Sequence, residues 1–215
     1  MSQGASADGP DQAAGRRLAA MAGHLGDESE ARARLADERA AVRATALGAL
    51  ARMGRFGPED LEAGAADPAP EVRARSAELA PDLGDRGLDI LVAGLSDRDW
   101  SVVEASCFAL GEAGDPAGLP SAAIGALGVV ARTHGDPLCR EAAVAALGAS
   151  GDPAGLPAIL AATSDKPAVR RRAVLALAPF EGEEVDAALE RALSDRDWQV
   201  RQAAEDLTGT RRRAT

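Results

Sequence analysis

The chain has 215 residues and a formal net charge of −10; it is 46% hydrophobic, yet 2% aromatic and without a tyrosine. An acidic surface of that kind repels nucleic acid and anionic lipid, and no apolar run approaches the roughly 20 residues of a membrane span, so neither partner is expected. The apolar content is mostly Ala, Leu and Val, which suits closely packed helices and is poor in sheet-forming residues.

The first ten residues, MSQGASADGP, carry no basic segment leading into an apolar core, so they are not a secretory signal and are expected to be a disordered lead-in. Next, "AAGRRLAAMAGHL" has the periodicity of an amphipathic helix, which predicts a capping helix near Asp11–Leu25. From there to about residue 210 a single pattern recurs. Its anchor is a valine after an acidic turn: Val42, Val72, Val102, Val169 and Val200, with Cys139 in the fourth place. The spacings are 30, 30, 37, 30 and 31 residues. Around each anchor stand an Asp about five residues before, often an Arg one after, small residues at +4 and +5, and usually a Leu at +8. Positions 0, +4, +5 and +8 share one side of a 3.6-residue helix, so each anchor opens an amphipathic helix.

Asp99, Asp136 and Asp197 stand three before their anchors, where an N-cap belongs. Pro70, Pro137 and Pro167 follow in the slot of a first helical residue, and Trp100 and Trp198 occupy that same slot. A second apolar segment lies between anchors, as in "LDILVAGL" (Leu88–Leu95) and "LPAILAAT" (Leu156–Thr163). Each unit therefore reads helix, Asp turn, helix, Gly/Pro turn. The duplicated "LSDRDW" (Leu95–Trp100 and Leu193–Trp198) and "GDPAGLP" (Gly114–Pro120 and Gly151–Pro157) fall on equivalent turns, so their identity is structural. The expected fold is all-α: a right-handed α-solenoid of about six helical hairpins over residues 11–210, followed by a mobile basic tail, "RRRAT" (Arg211–Thr215). Within the 37-residue spacing, seven extra residues fall in "SAAIGALGVVARTHGD". They are expected to lengthen the first helix of the fourth repeat by about two turns and make it project.

The pattern "VRxxAxxALGxxGDPAGLPAIL…D" resembles the HEAT-like repeats first named for phycobilisome bilin lyases, over roughly residues 28–208. The resemblance implies the solenoid fold and a family of scaffolds, lyase subunits and maturation helpers. Three departures stand out: Cys139 for the anchor valine, Val103 for the arginine after Val102, and His134 for the aspartate of the fourth turn.

Chemistry-bearing motifs are scarce. There is no phosphate loop, no HExxH, no paired CxxC and no GxSxG. His24 and His134 are 110 residues apart, so no metal, cofactor or catalytic residue is assigned. Cys107 and Cys139 occupy core-facing slots and read as small buried hydrophobes, and the two thiols point to a cytoplasmic location rather than a disulfide framework. Arg43, Arg73, Arg140, Arg170 and Arg201 follow their anchors in a ladder. They are expected to meet turn aspartates such as Asp37, Asp67 and Asp195, within or between repeats, the aspartate standing six residues before the arginine in three of them; the alternative is an anion-binding stripe.

The face opposite the core carries the functional expectation. Second helices of a solenoid line its concave side, and Phe108 and Leu175 are apolar there, at +6, where water is expected. Leu138, Arg75, Glu104, Glu112, Glu141, Arg171 and Arg172 surround them, forming a shallow groove suited to an extended peptide or a partner helix. Trp100 and Trp198, at the edge of the turns, are expected to cover repeat junctions or to anchor a partner. The function expected is a non-enzymatic adaptor or scaffold holding a protein or peptide. A helper or lyase-like subunit of a modifying enzyme is the alternative, and a DNA-binding glycosylase-like repeat protein the least expected.

Overall fold

The structure, a computed structural model, describes residues 10–113 and 118–214, and every element in them is helical. The first nine residues, and with them the expected lead-in, lie outside the described residues, as do 114–117 of the first "GDPAGLP" turn. The chain divides into two compact units at Ile90/Leu91. The first holds α1 (Pro10–Leu25), α2 (Glu28–Arg34), α3 (Ala40–Arg52), α4 (Pro58–Ala65) and α5 (Pro70–Leu79), then a 3-10 turn (Ala80–Leu83). Helix α6 (Gly84–Gly94) crosses the division. The second unit continues with α7 (Trp100–Glu112), α8 (Ser121–Thr133), α9 (Pro137–Ser150), a 3-10 turn (Pro153–Gly155), α10 (Leu156–Ala162), α11 (Pro167–Ala176), α12 (Glu183–Ala192) and α13 (Trp198–Ala214). The last of these carries helical backbone through positions 211–214, where the sequence has its basic tail.

Each unit is a stack of helical hairpins, the α-solenoid arrangement. In the first unit α1 packs on α3 and α3 on α5, while α2 and α4 back onto α3 and α5. In the second, α7, α9, α11 and α13 form a consecutive row, with α8, α10 and α12 behind it. The anchors explain why these faces meet. Val42, Val72, Val102, Cys139, Val169 and Val200 are all buried, at most 3% exposed. At +4 the small Ala46, Ser76, Ser106, Ala143, Ala173 and Ala204 are buried too, so neighbouring axes can approach. Each buried Val or Leu contributes about 1.5–3 kcal/mol, and no hairpin has enough of them to stand alone.

Helix starts follow their predicted caps. Asp99 accepts from the Ser101 amide at 3.0 Å, Asp136 from Leu138 at 2.8 Å and Asp197 from Gln199 at 2.9 Å. Pro70, Pro137 and Pro167 open α5, α9 and α11, and Trp100 and Trp198 open α7 and α13. The expected capping helix is α1. It takes the place of a second helix in the row, turning Gly15, Ala19, Ala22 and Gly23 inward while Leu18, Met21 and Leu25 lie exposed.

The insertion before Cys139 falls mostly in α8. Helix α8 has 13 residues against 7 in α10, 10 in α12 and 11 in α6. Helix α8 is thus six residues longer than α10, the first helix of the fifth repeat, close to the two turns expected, and two longer than α6.

Close approach in the second row depends on glycine. A Cβ built on Gly148 of α9 would lie 2.7 Å from the Ala176 Cα of α11, a backbone atom that cannot swing aside. Gly125 on α8 has nothing within 4 Å of the same construction. Helix propensity alone favours Ala over Gly by about 1 kcal/mol at both sites. Gly125→Ala is therefore expected to raise the melting temperature, and Gly148→Ala to lower it despite the same propensity gain. Paired thermal melts followed by circular dichroism check the opposite signs.

Candidate functional site

The arginine ladder is built one turn at a time. Arg43 donates through Nε and Nη2 to both carboxylate oxygens of Asp67, at 2.8 and 2.7 Å. Arg140 does the same to Asp165 at 2.6 and 2.7 Å, and Arg170 to Asp195 at 2.9 and 2.6 Å. The remaining nitrogen, Nη1, turns back on the arginine's own turn. It reaches the carbonyls of Asp37 and Glu38 from Arg43, of His134 and Gly135 from Arg140, and of Asp165 from Arg170. Arg73 and Arg201 clamp their own turns in the same way, at the Asp67 and Asp195 carbonyls. The expected tie to turn aspartates holds both within and between repeats. Six residues back, the partner is the aspartate's backbone carbonyl, whereas the carboxylate belongs to the turn of the next repeat. Each rung thus joins two repeats, and these guanidinium groups are not an open anion stripe.

Charge pairing sets the titration of these aspartates. The Arg140 fork holds Asp165 below the usual carboxylate range, and the Arg170 fork does so for Asp195, each against the opposing effect of burial. Burial pushes Asp67 up, and hydrogen bonds from Arg43 and the Ala69 amide more than reverse it. Asp37 has no preceding repeat to supply a fork. Arg39 takes that part, donating at 2.8 and 2.7 Å, and holds Asp37 far below its ordinary value.

The second unit lacks one rung. In every rung the residue after the anchor reaches the aspartate of the next turn, and at the third-to-fourth junction those positions are Val103 and His134. Two of the sequence's departures are thus the two ends of a single missing ion pair. Val103 is fully buried. His134 keeps the other task of a turn aspartate: its Nδ1 accepts from the Asp136 amide at 3.1 Å, as Asp195 Oδ1 accepts from Asp197. The Cys139 thiol adds a contact across the junction, donating to the Trp100 carbonyl at 3.3 Å. Burial pushes the Cys107 thiol up to about 12 and the Cys139 thiol to about 11, so neither is a thiolate nucleophile near neutrality. Among the described residues no cluster of His, Cys, Asp or Glu is arranged to hold a metal ion.

The outward face of α7, α9 and α11 presents the apolar side chains. Phe108 is 63% exposed, with Leu138 and Leu175 also exposed. Glu104 and Arg171 stand one turn before Phe108 and Leu175, and neither has an ion-pair partner among the described residues. Arg172 leans on Glu141 at 3.4 Å and leaves its buried Nε without an acceptor. Glu112 is exposed at the end of α7. Arg75 does not join this set. It lies in the first unit, paired with Glu78 at 2.6 Å, and its guanidinium rests over Gly48, close enough that a Cβ there would meet Nη2 at 2.7 Å. Trp100 is 47% and Trp198 64% exposed.

Residues 124–207 match the family model described as HEAT repeats. Among solved structures, the chain is similar to YibA of Escherichia coli, with a TM-score of 0.64 at 17% identity, covering 95% of this chain and 75% of that one. An engineered protein is similar at a TM-score of 0.58 and 19% identity, covering 83% of this chain and 94% of that one. At such identities the likeness concerns the fold. No curated protein matches the chain in sequence. No described helix is long and apolar enough to cross a membrane.

The rungs fix the response to acid. An unfolded aspartate titrates near 3.9, and Asp67, Asp165 and Asp195 are held lower when folded. Their stabilisation is complete above the unfolded value and is lost as pH falls through the folded ones. The melting temperature is expected to change little between pH 7 and 5 and to fall below about pH 4. Asp195→Asn leaves the Arg170 guanidinium, 7% exposed, without its carboxylate. It should lose about 3 kcal/mol at pH 7 and show a weaker acid dependence, measured by melts at both pH values.

Proposed function

We infer that this α-solenoid, residues 124–207 of which match HEAT repeats, works without catalysis of its own, as an adaptor that holds a protein segment on the outward face of α7, α9 and α11. HEAT repeats as a class mediate protein interaction, and the single observation that supports this face is its exposed Phe108. A phenylalanine 63% open to water on the same helix turn as a free Glu104 has the make-up of an interface anchor with an orienting charge beside it. Leu138 and Leu175 on the neighbouring helices extend the apolar contact, and Trp100 and Trp198 stand at the rim. The raised pKa values of both thiols speak for binding rather than covalent chemistry. A cytoplasmic setting agrees with two free, buried cysteines.

Truncating Phe108 separates this reading from a structural one. Phe108→Ala is expected to keep the wild-type melting temperature within a few degrees and to weaken partner capture by about 1–3 kcal/mol, the range of a modest hot spot. Capture from native extract by immobilised wild-type and variant protein, quantified band by band, checks it. Equal recovery of every band, or a variant that melts early, defeats the assignment of this face.

A further inference from the structure

We propose that the outward face of α7, α9 and α11 takes a dipolar amphipathic helix, basic where it lies over α7 and acidic where it lies over α11. This rests on the reading of that face as a docking surface and adds the chemistry of its occupant.

Two parallel rows cross the three helices. The +6 row is Phe108, Ala145 and Leu175, two exposed knobs with a small residue between them. One turn earlier, at +2, runs Glu104, Glu141 and Arg171. The charges along and around the two rows change in order. Over α7 stand Glu104 and Glu112, and neither carboxylate has a hydrogen-bond or ion-pair partner among the described residues. Over α9, Glu141 is offset by Arg172. Over α11, Arg171 is exposed and unpaired among the described residues. The face therefore reads negative, balanced, positive, and a partner that complements it reads positive to negative along the same line. The corresponding rows of the first unit have no such gradient, because Arg75 and Glu78 satisfy each other and Arg75 covers Gly48.

Spacing and side chains together select the secondary structure of the occupant. Neighbouring helices of the row are about 8–10 Å apart, so Phe108 and Leu175 are about 16–20 Å apart. Same-face residues of an α-helix recur every seven positions at about 10.5 Å, close to the spacing of the row. Same-face residues of a strand recur at about 6.7 Å and fall out of step. A polyproline segment, at about 9.3 Å per turn, matches the spacing as well. Such segments dock between aromatic rings, however, and the row offers Phe108 alone. A partner helix of about 14 residues covers the distance, setting one large apolar side chain over Ala145 between the two knobs.

The test uses synthetic peptides and the full chain. Two labelled 18-residue helical peptides carry Leu at i, i+7 and i+14 and have the same composition. One has its Lys at one end and its Glu at the other, and the second has them evenly mixed. Fluorescence anisotropy is expected to show the dipolar peptide binding about ten-fold more tightly, with the advantage abolished by Arg171→Glu and an all-Lys peptide then preferred. Phe108→Ala should weaken both peptides alike. Equal affinities that still fall with Phe108→Ala overturn the charge order and leave the docking face standing. Affinities indifferent to Phe108→Ala overturn both. Tighter binding of a proline-rich peptide, or no binding of either helix, overturns the helical occupant.

Discussion

The guanidinium groups of Arg43, Arg140 and Arg170 tie one hairpin of the solenoid to the next. The five N–H donors of a guanidinium lie in one plane, so one edge can grip a carboxylate while the remaining nitrogen faces elsewhere. Arg43, Arg140 and Arg170 use this division identically, the fork for the next repeat's aspartate and Nη1 for the carbonyls of their own turn. The aspartates hold two tasks as well. Asp67 and Asp195 receive the fork from the previous repeat and also the amide two residues ahead, which fixes the turn and hence the start of the next helix. Helix register and repeat stacking are therefore set by the same atoms. A lysine could supply the charge but not both contacts, and the sequence has a lysine at a single position, 166, outside this ladder.

Much of this was legible in the letters because it is periodic. A buried stripe at 0, +4, +5 and +8 is a local consequence of helix geometry, and Val42, Val102 and Cys139 are buried as that phase requires. The same phase placed Phe108 and Leu175 outside. What the letters hid is non-local. The spacing of six between Asp and Arg marked real neighbours, but the atom met there is a carbonyl, which every residue has and no letter distinguishes. The carboxylate partner lies 25 residues on in the case of Arg170. Gly148 reads as a poor helix former, and only the stacked neighbour reveals that Ala176 leaves no room for a Cβ. Arg75 shares the phase of the candidate face, yet phase does not show that Glu78 already binds it.

Within the second unit, the missing rung and the exposed apolar side chains occupy the same helices. Where Val103 and His134 replace the ion pair, α7 and α9 are held by buried aliphatic packing, by the Cys139–Trp100 contact and by the close fit of Gly111 against Ala146, whose Cα would lie 3.2 Å from a Cβ on the glycine. Packing of this kind is non-directional, whereas a bidentate fork fixes both distance and angle. The α9–α11 junction keeps its fork from Arg140 to Asp165, so the two junctions under the candidate face are held by different forces. Valine in the slot that holds arginine in the other repeats also frees the α7 end from positive charge. The carboxylates of Glu104 and Glu112 have no cation of their own helix to neutralise them, since α7 contains neither Lys nor Arg. The loss that removes a rung from the scaffold thereby leaves α7 uniformly acidic, and α11, with Arg170 held in its rung and Arg171 free, becomes the positive end of the face.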